Sequence, residues 1–199
     1  IIRQFPMVPG IDFAGNVPTS SDPRFHSGQQ VLLTGWGVGE NHWGGLAEQA
    51  RVNADWLVPM PEGMDGRKAM IIGTAGFTAM LCVMALEEGG ITPDSGEVLV
   101  TGASGGVGST AVALLSTLGY HVVAVSGRES THDYLYQLGA QAVLPRSTFT
   151  AESRPLEKQR WAGAVDTVGD RVLASVLAQM NYGGGGAARG PAGGFALPT

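Results

Sequence analysis

Three evenly spaced glycines carry the first chemistry this sequence offers. Gly102, Gly105 and Gly108 recur in Val100-Thr101-Gly102-Ala103-Ser104-Gly105-Gly106-Val107-Gly108-Ser109, between an apolar strand pattern and a helical one. A dinucleotide pyrophosphate requires that context. Gly102 permits a tight turn, Gly105 or Gly106 lets the main chain approach a phosphate, and Gly108 lets the helix pack closely on the strand. The unpaired N–H groups and the positive end of the helix dipole then face the phosphates. The spacing is G-x-x-G-x-x-G with an added G-G-x-G, which departs from the common G-x-G-x-x-G. Taken alone, the glycines also suit a tight strand-to-helix turn in some other α/β protein.

The next strand narrows the choice. An NAD-preferring site usually ends its second strand in Asp or Glu, which accepts hydrogen bonds from the ribose. Here the strand ends in Ser126-Gly127-Arg128. A hydroxyl, a small residue and a guanidinium suit a 2′-phosphate, because Arg offers a charged fork and no carboxylate repels the ligand. NADP(H) is therefore expected over NAD(H). Glu129 competes as a ribose acid but lies beyond the expected strand end. Arg146, at the end of the third strand, is placed to reach the same adenosine edge, or else is a solvated surface Arg.

A second glycine run, Gly35-Trp36-Gly37-Val38-Gly39, also follows a strand, but Glu40-Asn41-His42-Trp43-Gly44-Gly45 after it is no helix. This segment reads as a loop whose Trp36, His42 and Trp43 either line a cleft or cap a small core. His42 has no metal-ligating neighbour at suitable spacing, and no metal site is expected.

The elements that must hold these residues follow from pattern. Glu97 to Thr101 and His121 to Val125 read as short buried strands, with Val107 to Leu118 a helix between them. A helix over about Thr131 to Leu138, a strand at Ala142 to Leu144, a strand at Gly163 to Val168 and a helix over Asp170 to Met180 continue the alternation. Gly184 to Arg189 sits where another strand is due. This strand–helix alternation predicts a parallel α/β sheet. Before residue 66 the apolar runs are short (Val31 to Thr34, Ala50 to Val52, Trp56 to Val58) and broken by Gly, Pro and Asn, which reads as irregular β structure. Between the halves, Ala69 to Leu86 holds 18 uncharged residues. That length borders on a membrane span, but Gly73-Thr74-Ala75-Gly76 interrupts it, so a buried helix pair is expected.

Composition bounds the partners. The 199 residues carry a formal charge of -5 and no run of Lys or Arg, which argues against nucleic acid. One cysteine, Cys82, allows no internal disulfide, and the cytosol is the expected compartment. The sequence opens Ile1-Ile2-Arg3 without a methionine or a charged-then-apolar leader, so no signal peptide is expected and the chain reads as beginning in mid-protein. The 31 glycines exceed twice the usual share of about 7% without any collagen-like period.

Five motifs, in order, carry a resemblance. Pro9-Gly10-Ile11-Asp12-Phe13-Ala14-Gly15, Trp43-Gly44-Gly45-Leu46-Ala47-Glu48, Gly73-Thr74-Ala75-Gly76-Phe77-Thr78-Ala79, the Gly102 to Gly108 turn and Ser126-Gly127-Arg128 resemble the zinc-independent medium-chain dehydrogenase/reductases. Within that superfamily the chain is most similar to the NADPH-dependent acrylyl-CoA reductase and quinone-oxidoreductase-like group. The resemblance implies an incomplete Rossmann-like parallel sheet joined to part of a GroES-like β domain, with residues 1–66 in the catalytic domain, 67–96 as connecting helices and 97–199 as the NADP-binding domain. It implies a cofactor cleft between the domains and a homodimer when full length. It places Ser104, Gly105, Gly106 and Val107 at the phosphates, Ser126, Gly127 and Arg128 at the 2′-phosphate, Arg146 at the adenosine end and Thr78 near the nicotinamide. For Thr78 a bond back to its own helix backbone is the plain alternative. Zinc-dependent relatives carry His-Glu after Pro-Gly where this chain has Ile11-Asp12, and Ile cannot ligate a metal.

The implied reaction is hydride transfer from NADPH to the β-carbon of an enoyl thioester such as acrylyl-CoA. A reductase of quinones or free enones would share the same cofactor motifs. From another class, a nucleotide-binding protein without turnover, or an inactive fragment, also fits them. No catalytic residue is assigned, because the family's cleft Tyr precedes the position of Ile1. One departure stands out: Gly183 to Pro191 puts five glycines, Arg189 and Pro191 where the family has an apolar strand.

Overall fold

The computed structural model describes residues 5–150 and 157–188. Two compact units divide at Thr74/Ala75. In the first, β1 (Asp12–Asn16), β2 (Gln30–Thr34) and β3 (Val58–Pro59) form an antiparallel sheet in the order β1-β2-β3. Val17, Phe25 and Val31 bury a small core against Ala54 and Leu57. The apolar run at Ala50 to Val52 forms no strand. The antiparallel neighbour of β2 is instead Val58–Pro59, reached after a single 3₁₀ turn at Ala54–Trp56 capped by the Asn53 side chain.

Two of the sequence motifs meet in this unit. Gly44 N–H donates to Val8 O at 2.7 Å, Gly45 N–H to Gly10 O at 3.0 Å and Leu46 N–H to Pro9 O at 3.0 Å. The segments approach so closely that a Cβ on Gly44 would run into the Pro9 carbonyl, which explains the paired glycines after Trp43. The Gly35 run is a loop, with Trp36 stacked on Trp56 at 6.0 Å between ring centroids and His42 edge-on to Trp56 at 5.2 Å.

Helix α1 (Gly66–Glu88) carries a break at Gly73, where φ is 51° and ψ is -163°. The Asp12 carboxylate accepts from Thr74 N–H at 2.9 Å and from its hydroxyl at 2.5 Å, starting the helix afresh after the break. The expectation of a buried helix pair holds for one face only, since Ile71, Ile72, Phe77, Met80 and Met84 are exposed. Its sequence is apolar all round, whereas only the face bearing Ala79, Cys82, Val83 and Leu86 joins the core. By length and composition this helix could cross a membrane; by position, one face of it is a core element.

The second unit is a five-stranded sheet in the order β6-β5-β4-β7-β8, built from β4 (Glu97–Val100), β5 (His121–Ser126), β6 (Ala142–Pro145), β7 (Trp161–Asp166) and β8 (Met180–Ala188). Every neighbouring pair is parallel. Helices α2 (Gly106–Thr117), α3 (His132–Gln137) and α4 (Asp170–Ala178) connect the strands. Alternate residues of β4 serve opposite faces: Val98 and Val100 pack with Ala111, Val112 and Leu115 of α2, while Leu99 packs with Val172 and Val176 of α4. Burial on both faces is why these strands read as unbroken apolar runs. Strand β8 begins four residues earlier than Gly184 and contains the glycine run. Arg189 and Pro191 lie outside the described residues.

Candidate functional site

Strand order reverses at β4, with β5 on one side and β7 on the other. Open parallel sheets bind ligands in the crevice that such a reversal leaves beyond the carboxyl ends of the strands. A cavity of about 420 Å³ lies there, lined by Thr101, Gly102, Ser104, Val125, Ser126, Gly127, Arg128, Arg146, Val168 and Val172.

The glycine turn forms one wall. Gly102 has φ of +57°, a conformation that favours glycine, and Ala103 N–H donates to Val125 O at 3.1 Å, holding the turn between β4 and β5. Gly105 N–H donates back to Gly102 O at 2.9 Å and caps α2 in an extended conformation without a side-chain cap. The first turn of α2 carries no acidic residue, so its positive end is left uncompensated for an anion. A Cβ at Gly108 would run into the Gly102 carbonyl, so the helix can sit this close to the strand only with glycine there.

The ends of β5 and β6 also line the cavity. Ser126, 4% exposed, closes β5 and accepts from Arg128 N–H at 3.2 Å; its hydroxyl meets Thr131 Oγ1 at 2.9 Å and Ser104 Oγ at 3.4 Å. Arg128 Nη2 donates to Ser104 Oγ at 3.3 Å. Two hydroxyls and one guanidinium thus converge from the turn and from the end of β5. A Cβ on Gly127 would stand 3.6 Å from the Arg146 stem, an ordinary contact, so Gly127 lies beside Arg146.

The sequence-predicted residues are therefore unevenly placed. Ser104, Ser126, Gly127, Arg128 and Arg146 line one cavity, whereas Gly105, Gly106 and Val107 stand at the start of α2 beside it. Thr78 does not line the cavity; it lies on α1 one turn after Ala75, whose Cβ would touch a Cβ on Gly106 at 3.1 Å. Glu129 opens a short 3₁₀ turn beyond β5, next to Arg128, and does not itself line the cavity. The pattern reading missed Asp166 at the end of β7, which accepts from the Thr101 hydroxyl, and Val168 and Val172, which line the cavity. A carboxylate ending an apolar run, Ala162 to Val165, was the available signal.

A metal does not fit this donor set. Among the described residues no three His, Cys, Asp or Glu side chains gather, and Cys82 is 1% exposed within the apolar core.

Comparison with known proteins agrees with the fold and the turn. Residues 1–62 match the alcohol dehydrogenase GroES-like domain, and residues 106–194 match the zinc-binding dehydrogenase family. The chain is 79% identical over 199 residues to "Probable acrylyl-CoA reductase AcuI" of Escherichia coli (strain K12), covering all of this chain and 61% of that protein. It therefore spans about three-fifths of the length of this curated relative. The crystal structure of E. coli K-12 YhdH with bound NADPH superposes with a TM-score of 0.98 at 79% identity, over 100% of this chain and 61% of the other. That of Bacillus subtilis YhfP with NAD bound gives 0.94 at 48% identity, over 100% and 60%. With both halves matched in order and the parallel sheet and antiparallel unit in place, the chain belongs to the medium-chain dehydrogenase/reductase family.

Proposed function

We propose that this chain is part of an NADPH-dependent reductase that saturates the carbon–carbon double bond of an enoyl thioester, acrylyl-CoA being the substrate that its E. coli relative is named for. The observation that carries the cofactor choice is the cluster of Ser104 from the glycine turn with Ser126 and Arg128 from the end of β5, in a cavity lining without a carboxylate. Arg128 and the two hydroxyls would hold a 2′-phosphate. The glycine turn at Gly105, with the N–H groups of Gly106 and Val107 at the start of α2, would hold the pyrophosphate, Arg146 would cover the adenosine end, and Thr78 would lie toward the nicotinamide. When bound, NADPH supplies the hydride. The chain fixes the dinucleotide at several points, so that hydride donor and alkene meet without further loss of orientational freedom.

The enzyme would be a homodimer in the cytoplasm, with residues 1–66, 67–96 and 97–199 as catalytic domain, connecting helices and cofactor domain. Consumption of NADPH by the intact protein is the test: acrylyl-CoA should drive it at least about tenfold faster than a quinone at equal concentration. A quinone preference would transfer the assignment to quinone reduction, and NADPH binding with no hydride transfer to any alkene would make it a nucleotide-binding protein.

A further inference from the structure

A buried carboxylate behind the glycine turn has no part in the scheme so far. Asp166, at the end of β7, is 2% exposed and lines no part of the cavity. Both its oxygens accept: Oδ1 from the Thr101 hydroxyl at 2.5 Å and Oδ2 from Gly169 N–H at 2.8 Å. Thr101, itself fully buried, also accepts at its hydroxyl from Thr167 N–H at 3.1 Å, and its carbonyl accepts from the Thr167 hydroxyl at 2.9 Å. The exits of β4 and β7, 65 residues apart in sequence, are thereby stitched side chain to backbone in both directions.

Gly102 sits against this stitch. Any Cβ there would collide with Thr167 Oγ1 and come within 3.2 Å of Val168 Cγ2. On the far side, Gly169 and Asp170 take φ values of +79° and +52°. A left-handed non-glycine residue persists only where its surroundings over-determine it, and such strain clusters at ligand sites. The Asp166 carboxylate accepts from the N–H of Gly169, the first of these two residues.

We propose that Asp166 is a positioning residue for dinucleotide binding: acting through Thr101 and Gly169, it clamps the β4 exit to the β7 exit and holds the glycine turn in the form that accepts the pyrophosphate. This rests on the cofactor reading above. Because the pyrophosphate is common to both dinucleotides, the clamp governs NADPH and NADH alike, unlike Arg128.

The test uses the intact protein carrying Asp166→Asn, Thr101→Val or Thr101→Ser, with Arg128→Ala beside them. In Asn one oxygen becomes a donor, so one of the two donors facing position 166 loses its acceptor; Val removes the hydroxyl at nearly the same volume, and Ser keeps it. Fluorescence titration should show Asp166→Asn and Thr101→Val weakening NADPH and NADH by similar factors, about tenfold or more. Thr101→Ser should stay within about twofold of the parent, and KM for NADPH should rise with kcat within about threefold. Arg128→Ala should weaken NADPH alone. A merely structural role would lower the melting temperature while leaving both affinities unchanged well below it, and that result overturns the proposal. So does a loss confined to NADPH. Should Asp166→Asn fail to fold, Thr101→Val decides by the same criteria. A parent protein that binds neither dinucleotide defeats the cofactor reading and the clamp with it, whereas an unaffected Asp166→Asn beside an impaired Arg128→Ala defeats the clamp alone.

Discussion

Arg128 is exposed, yet its guanidinium is directed by the Ser104 hydroxyl and its main-chain N–H is tied to Ser126. Hydrogen bonds to charged groups contribute about 1.5–3 kcal/mol each, or one to two decades in affinity. Arg128→Ala should therefore weaken NADPH about 10- to 100-fold and leave NADH within about threefold, as read by calorimetric titration. The glycine turn makes a sterner prediction. Gly108→Ala must push α2 off the Gly102 carbonyl, and overpacking of this kind costs about 1–3 kcal/mol, so chemical denaturation should show that loss. These residues were legible because their chemistry is local: a strand end, a turn and a helix start lie within thirty positions of one another. Asp166 was not, since its meaning depends on Thr101, a partner that only the sheet brings close.

Helix α1 illustrates what hydropathy leaves open at the next level of organisation. A run of apolar residues marks a helix but does not say which faces are covered, and Phe77, Met80 and Met84 remain exposed while Cys82 and Leu86 are buried. Its restart depends on Asp12, a residue whose place in the chain gives no hint of a helix cap 62 positions later. Removing such a cap costs about 0.5–2 kcal/mol, so Asp12→Ala should lower stability by that amount in denaturant titration. Strand β8 can gain instead: a Cβ on Gly186 meets nothing within 4 Å, and Gly186→Ala should stabilise by about 0.4–1 kcal/mol. At the opposite ends of the strands Glu97 receives Arg160 Nε at 2.7 Å, and this bond holds its carboxyl below the ordinary value. A lowered folded pKa means that the pair stabilises fully above the unfolded glutamate value of about 4.3 and loses that contribution as pH falls through the folded value. Both partners are partly solvated, so the effect should stay below about 1 kcal/mol. The melting-temperature gap between parent and Glu97→Gln should accordingly close on acidification from neutral pH.

Across the molecule, the alternation of strand and helix from Glu97 onward was enough to foretell a parallel sheet, because strands buried on both faces leave continuous apolar runs and their crossovers leave amphipathic ones. The first unit was harder to read: its sheet pairs short strands through long loops, and the run at Ala50 to Val52 goes unpaired while Val58–Pro59 takes the place beside β2. What the assembled sheet adds is convergence. Residues from the ends of three strands and the glycine turn meet in one cavity whose charged groups are both arginines. The relatives show that this architecture serves both dinucleotides, since the E. coli protein was crystallised with NADPH and the B. subtilis protein with NAD. The most direct measurement is a side-by-side titration of the intact protein with NADPH and NADH at fixed ionic strength. Binding of NADPH at least about tenfold tighter is the expected result, from the 2′-phosphate contacts of Arg128, Ser126 and Ser104; NADH binding as tightly or more tightly would contradict it.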